Sequence, residues 1–196
     1  MLVFADEVAM SRNVARNFNR GMDWAAIRDY LVDYGSSWRE LVEMALYVSL
    51  FPDRLPGDEG LETGGGPTVG SDPEGLGRRR LTQLRRVSLL EKQGFLVHAL
   101  DMRWVPSSIK GDSFRYVADI DIAMAADIID VCFQIRPDIV TLMTSEPGYA
   151  HVARVLRRRG IRVEVASTPQ VLPDALRRSV NGFIDLSDLF ESFEAL

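Results

Sequence analysis

Acidic side chains stand at three points of the chain where they could take part in metal-dependent chemistry. Asp6 directly follows one short apolar run, and Glu146 follows another at residues 138–144. Asp121 lies near the start of the apolar stretch between them. If the runs are parallel strands, their carboxyl ends meet at one sheet edge, where α/β folds bind ligands. Carboxylate oxygens there can hold Mg²⁺ or Mn²⁺, which activates water and stabilises a phosphodiester transition state. The pattern therefore indicates metal-assisted hydrolysis of RNA or DNA.

The same acids also have a purely structural interpretation. Asp and Glu are favoured at helix N-caps and in the first turn, where they complement the free N–H groups and the helix dipole. Asp6, Asp119 and Asp121 all fall where a helix is expected to begin. Their spacing therefore leaves both metal binding and helix capping open.

Alternating strand-like and helix-like patterns predict the fold class. Short apolar or alternating runs indicate six strands, and amphipathic stretches that end at Gly or begin after Asp separate them. This order predicts an α/β, Rossmann-like three-layer domain with a mainly parallel central sheet and helices on both faces. The predicted strands are residues 2–5, 42–51, 95–105, 138–144, 161–165 and 183–186, and the helices reach to about residue 19 and cover about 24–34, 78–93, 119–132, 149–159, 173–180 and 189–196.

The composition is that of a globular protein with a core. The chain has 196 residues, of which 46% are hydrophobic and 26% are charged. Its 23 basic and 28 acidic side chains give a formal net charge of -5, so a nucleic-acid partner needs a local basic face. The single cysteine, Cys132, excludes an internal disulfide and a multi-cysteine zinc site.

Length and hydropathy predict one domain over residues 1–196 with no membrane segment. A chain of this length should bury roughly 70% of its unfolded surface. The longest uncharged apolar stretch, at residues 44–51, is far shorter than the ~20 residues that span a bilayer. Acids at positions 6 and 7 directly follow the first apolar residues, so we expect no signal peptide and a cytoplasmic location.

The segment at about residues 52–77 differs from the rest of the chain. Gly or Pro occupies 12 of its 26 positions, and Asp or Glu occupies six more. Such a segment contributes few side chains to a core, so we expect a flexible insertion in the domain.

Four blocks of the sequence resemble the NYN domain, in its LabA-like branch of the PIN-like nuclease superfamily. They are LVFADEVAM, ADIDIAMAAD, DIVTLMTSEPGYAHVARVLRRRGIRVEVAS and NGFIDL, and the resemblance runs over residues 2–186. It implies a Rossmann-like sheet and a divalent-metal ribonuclease that uses Mg²⁺ or Mn²⁺ held by acidic residues.

The resemblance also implies roles for particular residues. The acid of the family's first strand falls on Asp6, and its paired helix acids fall on Asp121 and Asp127. The family motif SGDSDF lies over residues 144–149, which places its first acid on Glu146. We therefore expect Asp6, Asp121 and Glu146 to bind the metal, with Asp127 as a further catalytic carboxylate.

The chain departs from the family pattern at several polar positions. Ala9 replaces an asparagine, Ala118 replaces a lysine, and Gly148 replaces the second acid of SGDSDF. Two hypotheses follow from this partial match. The protein is a metal-dependent ribonuclease, with weak turnover, or it is a catalytically degenerate NYN domain that binds RNA or protein as a regulatory module.

Two arginine-rich runs and the C-terminal segment are candidate binding surfaces. The arginines that could contact an RNA backbone are Arg78, Arg79, Arg80, Arg85, Arg154 and Arg158. A solvated helix face that offsets the acidic insertion is the alternative interpretation of both runs. The segment at residues 185–196 has apolar residues on one side and acids on the other, so it could pack on the sheet or dock a protein partner or a second subunit.

Overall fold

The structure, a computed structural model, describes residues 1–36, 39–52, 73–106 and 114–196. Eight strands and seven α-helices lie in these ranges. The strands are β1 (Leu2–Asp6), β2 (Glu43–Leu50), β3 (Leu96–Asp101), β4 (Arg103–Pro106), β5 (Phe114–Val117), β6 (Ile139–Met143), β7 (Arg162–Ser167) and β8 (Gly182–Asp185). The helices are α1 (Glu7–Phe18), α2 (Trp24–Asp33), α3 (Pro73–Lys92), α4 (Ile120–Ile135), α5 (Tyr149–Arg157), α6 (Asp174–Arg177) and α7 (Ser187–Glu191).

Six of the strands form one parallel sheet in the order β3-β2-β1-β6-β7-β8. Strands β1, β2 and β3 run from the middle of the sheet to one edge, and strands β6, β7 and β8 run from the middle to the other edge. The strand order therefore reverses between β1 and β6, which makes a crevice outside their carboxyl ends, where ligands bind in sheets of this kind. The predicted α/β fold with a mainly parallel central sheet is confirmed.

Helices cover both faces of the sheet because the central strands are apolar on both sides. All five residues of β1 are buried: Leu2 and Phe4 pack on the face covered by α4 and α5, whereas Val3 and Ala5 pack on the opposite face. Helices α1, α2 and α7 cover that second face. A continuous apolar run of this kind is what a central parallel strand requires.

The predicted third strand, residues 95–105, is wrong in its extent. Strand β3 ends at Asp101, and residues 103–106 leave the sheet to form β4, which pairs antiparallel with β5. The apolar and polar alternation continues through the break, so the pattern could not show where the chain left the sheet. Strand β5 also falls in a stretch that the sequence analysis assigned to no element.

Two further boundaries differ from the predictions. Residues 53–72 of the Gly/Pro-rich segment lie outside the described residues, and residues 73–77 are the first turns of α3 rather than part of an insertion. The terminal helix begins at Ser187 and ends at Glu191, short of the predicted residue 196.

The C-terminal segment packs on its own domain. Phe190 is fully buried and its ring meets Phe18 of α1 edge-on, with 5.5 Å between the ring centroids. Phe193 is also buried, whereas Leu196 is exposed. Most of the apolar side of this segment is therefore used within the chain, and docking of a partner through it stays a prediction. None of the helices in the described part of the chain combines the length and apolar character needed to span a bilayer.

An ion triad around the buried Glu164 joins the chain before β2 to strand β7. The carboxylate of Glu164 accepts hydrogen bonds from Arg39 at 2.6 and 3.2 Å and from Arg162 at 2.9 Å. Burial alone would raise the pKa of Glu164, but the two guanidinium groups outweigh burial and lower it. The negative charge of Glu164 therefore compensates two guanidinium groups, one of which is itself buried.

We expect Glu164→Ala to lower the free energy of unfolding by about 3 to 5 kcal/mol, because it leaves the buried Arg39 guanidinium without a counter-charge. Asp174→Ala is the matched control, since it removes the exposed ion pair with Arg178 and should cost less than about 1 kcal/mol. Urea unfolding monitored by circular dichroism measures both. Equal losses in the two variants would contradict this assignment.

Candidate active site

The crevice at the switch point carries an acid from each of its two strands. Asp6 is the last residue of β1, and its side chain is only 9% exposed. Glu146 follows β6 after a turn in which its backbone N–H donates to the buried Thr144 hydroxyl at 3.1 Å. The Glu146 carboxylate is exposed and lies 3.5 Å from the backbone N of Gly148, at the start of α5.

Asp6 also caps α1. Its Oδ1 atom accepts a hydrogen bond from the Ala9 backbone N–H at 2.9 Å, while Oδ2 has no hydrogen bond to a described residue. The capping interpretation of Asp6 is therefore correct, and it still leaves one carboxylate oxygen for a ligand. Asp119 makes no capping hydrogen bond at the start of α4 and instead pairs with Arg103 at 3.0 Å.

Electrostatic coupling shows that Asp6, Asp121 and Glu146 face the same region. Burial raises the pKa of Asp6 to about 6; the charges of Asp121 and Glu7 add to this rise, whereas the Ala9 hydrogen bond and the charge of Arg12 oppose it. The pKa of Asp121, in the first turn of α4, is raised by burial and then by the charge of Glu146. Asp121 therefore repels both Asp6 and Glu146 at the edge of the sheet formed by the carboxyl ends of β1 and β6, which we call the acid edge.

Tyr149 lies among these acids. Its side chain is 2% exposed, and its hydroxyl donates a hydrogen bond to the backbone carbonyl of Asp121 at 3.1 Å. Burial raises the pKa of Tyr149, and the charges of Asp121, Asp6 and Glu146 raise it further. Tyr149 thus ties the start of α5 to the start of α4 and positions Asp121. The sequence indicated only that Tyr149 lies on the apolar face of its helix.

Asp127 has different neighbours from the other three acids. Its Oδ2 atom accepts a hydrogen bond from the Tyr47 hydroxyl at 2.8 Å and lies 3.7 Å from Nδ1 of His98. The Tyr47 and His98 rings are stacked, with centroids 4.6 Å apart. Asp6, Tyr47 and His98 are register partners on the neighbouring strands β1, β2 and β3. The cluster of Asp127, Tyr47 and His98 therefore lies beside the acid edge, in the direction of β3. Sequence reasoning missed Tyr47, since a tyrosine in an apolar strand has no polar signature.

The acids of the crevice form no ion pairs with described residues, although the fold supplies an ion-pair partner to the adjacent Glu7. Within the described ranges, no ion pair involves Asp6, Asp121 or Glu146. Glu7, adjacent to Asp6 and equally buried, forms an ion pair with Arg86 of α3. The fold therefore gives Glu7 an ion-pair partner, whereas Asp6 has, among the residues that the structure describes, only the charge of Arg12 at a longer distance.

The donor chemistry of the crevice fits a hard divalent cation, but the ligands are not fully assembled. Carboxylate oxygens with excess negative charge are what Mg²⁺ and Mn²⁺ bind. The described residues nevertheless contain no group of three His, Cys, Asp or Glu side chains that could hold a metal ion as it stands. Gly148 occupies the position of the second acid of the family motif SGDSDF. A Cβ atom there would make only ordinary contacts, the shortest being 3.9 Å to Glu146 Oε1.

The two arginine runs lie at opposite ends of the strands, one near their carboxyl ends and the other near their amino ends. On α3, Arg80 donates to the carbonyl oxygen of Phe51 and pairs with Asp101, both at the carboxyl ends of their strands. Arg79 lies over the Phe51 ring at 5.7 Å. Arg79 and Arg80 therefore lie at the carboxyl ends of β2 and β3, whereas Arg78 and Arg85 are exposed residues of the same helix that these contacts do not place beside the acids. Arg154 and Arg158 stand at the far end of α5, near the start of β7.

The fold and the acid edge define a Rossmann-like α/β domain of the PIN-like type. The family model for the NYN domain matches residues 2–188, so the chain belongs to the NYN domain family. NYN domains are part of the PIN-like superfamily. Membership of the LabA-like branch stays a prediction.

Comparison with known structures supports the fold alone. The chain is similar to the crystal structure of a protein of unknown function, VPA0982 from Vibrio parahaemolyticus RIMD 2210633. The TM-score is 0.64 at 15% sequence identity, and the match covers 95% of this chain and 92% of that one. No curated protein matches the sequence. NYN domains typically bind RNA, and PIN-like nucleases generally depend on divalent metals.

We expect Asp6→Asn to remove a loss of stability that the parent protein shows as the pH rises from about 4 to about 7. In this range folded Asp6 keeps a proton that the unfolded chain has released, so ionisation destabilises the fold by about 2 to 3 kcal/mol. Asparagine keeps the helix cap without the charge. Urea unfolding at several pH values measures the difference.

Asp23→Asn is the matched control, because the exposed Asp23 caps α2 through the same contact, to the N–H of Ala26 at 2.9 Å. It should leave the pH dependence of stability almost unchanged. A pH dependence in Asp6→Asn identical to that of the parent would show that Asp6 is not destabilised by its surroundings.

Proposed function

We propose that this protein is a divalent-metal-dependent ribonuclease of the NYN type. The observation that supports the proposal is that Asp121 is electrostatically coupled to both Asp6 and Glu146 near the switch point, and that none of the three forms an ion pair among the described residues. In this proposal the three carboxylates hold Mg²⁺ or Mn²⁺. The ion, when bound, lowers the pKa of a water molecule and stabilises the charge of the phosphodiester transition state.

The side chains around the crevice have distinct parts in this proposal. The hydrogen bond from Ala9 orients the Asp6 carboxylate, and the hydrogen bond from Tyr149 holds the backbone that carries Asp121. Glu146 is exposed and can adjust its position. Asp127, bound to Tyr47, is a further carboxylate along the same edge. Arg79 and Arg80 of α3 lie at the carboxyl ends of β2 and β3, where the basic helix can contact the RNA backbone.

A second function is favoured by one feature of the same site. Glycine stands at position 148 in place of an acid, and no three described side chains form a ready metal site. This arrangement fits a catalytically degenerate NYN domain that binds RNA without cleaving it. The two functions differ in whether Asp121 is needed for the activity of the protein.

We expect purified protein to cleave a labelled single-stranded RNA in the presence of Mn²⁺, and Asp121→Asn to reduce the rate at least ~100-fold, because a displaced or missing ligand misplaces the reacting groups. Asp130→Asn makes the same chemical change at another exposed acid of α4, nine residues further along the helix, and should stay within about twofold of the parent. Gel electrophoresis of the RNA measures all three rates.

Two outcomes would contradict the ribonuclease. One is cleavage that Asp121→Asn leaves unchanged, which would trace the activity to a contaminant or to another site. The other is intact RNA with the parent protein in both Mg²⁺ and Mn²⁺. RNA that binds the parent and Asp121→Asn equally well, and is never cleaved, would support the degenerate binding domain.

A further inference from the structure

An open pocket of about 540 Å³ lies at the edge of the sheet opposite to the acids. It is formed where α5 ends and where β7 begins, and Arg154, Arg157, Arg158, Arg162 and Asn181 contribute to its lining. Among the described residues that line the pocket, none is acidic. The pocket therefore gathers four guanidinium groups in a protein whose net charge is -5.

The charge of this pocket is only partly compensated within the fold. Arg162 donates to Glu164, but the same carboxylate also neutralises Arg39. Arg154 and Arg157 donate to neutral oxygens of Ser179, to its hydroxyl at 3.2 Å and to its carbonyl at 2.9 Å. No ion pair joins Arg154, Arg157 or Arg158 to an acid in the part of the chain that the structure describes. The pocket therefore keeps an excess positive charge.

Hydrogen bonds within the chain also orient the donor groups that line the pocket. Arg154 and Arg157 each donate one hydrogen bond to Ser179, which holds the guanidinium group in place. Because a guanidinium group has five N–H donors in a fixed plane, each keeps further donors for a ligand. Asn181 accepts a hydrogen bond from the Val163 N–H at 3.0 Å through its oxygen, which leaves its amide N–H groups as donors. Several oriented donors with excess positive charge match the oxygens of a phosphate group.

Exposed basic residues of α5 connect the pocket with the acid edge. His151, Arg154 and Arg158 follow one another at spacings of three and four residues and are exposed, so they share the outer side of the helix. The helix begins beside Glu146 and ends at the pocket, and its nine residues span about 13 Å. A polyanion that reaches the acid edge can therefore continue along α5 into the pocket.

We propose that the arginine pocket binds a backbone phosphate of a single-stranded RNA that runs along α5 from the acid edge. This inference rests on the proposed function only in taking RNA as the partner. Because the pocket and the acids lie at opposite ends of α5, its arginines act at a phosphate remote from the acids. They contribute to the affinity for RNA, whereas the acids determine whether the RNA is cleaved.

Equilibrium binding of a short labelled single-stranded RNA, followed by fluorescence anisotropy in EDTA over a range of NaCl concentrations, tests the pocket without cleavage. We expect Arg158→Glu to weaken binding about tenfold or more. The slope of log affinity against log salt should fall by about 0.7 for each phosphate contact that is lost. Arg158 is exposed, so the variant should keep the thermal midpoint of the parent.

Arg178→Glu is the matched control, since it makes the same charge change at an exposed arginine outside the pocket. It should bind RNA within about twofold of the parent. Equal weakening by Arg158→Glu and Arg178→Glu would overturn the pocket, because it would show a general effect of net charge. Absence of RNA binding by the parent protein would overturn it as well.

Two further measurements complete the test. One distinguishes a backbone phosphate from a terminal phosphate, and the other tests the pocket and the ribonuclease independently. RNA with a terminal hydroxyl should bind as tightly as RNA with a terminal phosphate, and a requirement for the terminal phosphate would overturn binding of the backbone. Cleavage with Mn²⁺ is measured in parallel. If RNA is not cleaved but Arg158→Glu binds it more weakly than Arg178→Glu, only the ribonuclease is rejected. If RNA is cleaved but the two variants bind it equally well, only the pocket is rejected.

Discussion

The arrangement of the acid edge depends on the burial of one carboxylate, that of Asp6, at the point where the strand order reverses. β1 is the first strand of the chain and lies in the middle of the sheet, so its end opens into the crevice beside β6. The side chain there is buried, caps α1 and faces Asp121. Its raised pKa follows mainly from burial, which disfavours the ionised form in the protein alone.

The other buried acids of the protein differ from Asp6 in having arginine partners. Glu7 and Glu164 are at least as buried as Asp6, and each is paired with arginine. The fold can therefore bring a guanidinium group to a buried acid when only stability is concerned. Asp6 and Asp121 form no ion pair with a described residue and have further acids nearby, an arrangement that a bound cation would stabilise. The opposite edge has the reverse imbalance, with guanidinium groups in excess around the pocket at the end of α5.

Much of the fold could be predicted from sequence because central parallel strands are recognisable as apolar runs. The six strands of the sheet, the helix after Asp23 and the likeness of residues 2–186 to the NYN domain all followed from local patterns. The hairpin of β4 and β5 could not be predicted, since the alternation of residues 95–105 is the same inside and outside the sheet. Local patterns also carry no information on which strand becomes an edge.

The candidate site was predictable in its acids but not in what surrounds them. Asp6, Asp121 and Glu146 stand at element boundaries, which sequence reveals, whereas the contacts of Tyr149 and Tyr47 join elements that are far apart in the chain. The two arginine runs looked equivalent in sequence. Only the path of α5 across the sheet shows that Arg154 and Arg158 end at the edge opposite to the acids.

Calorimetric titration with Mn²⁺ near neutral pH is the most direct test of the central claim, that the uncompensated acids at the switch point form a divalent-metal site. The parent protein should bind Mn²⁺, Asp121→Asn should lose this binding, and Gly148→Asp should strengthen it about tenfold by adding a carboxylate where a Cβ has room. Absence of Mn²⁺ binding by both the parent and Gly148→Asp, or binding that Asp121→Asn leaves unchanged, would contradict the claim.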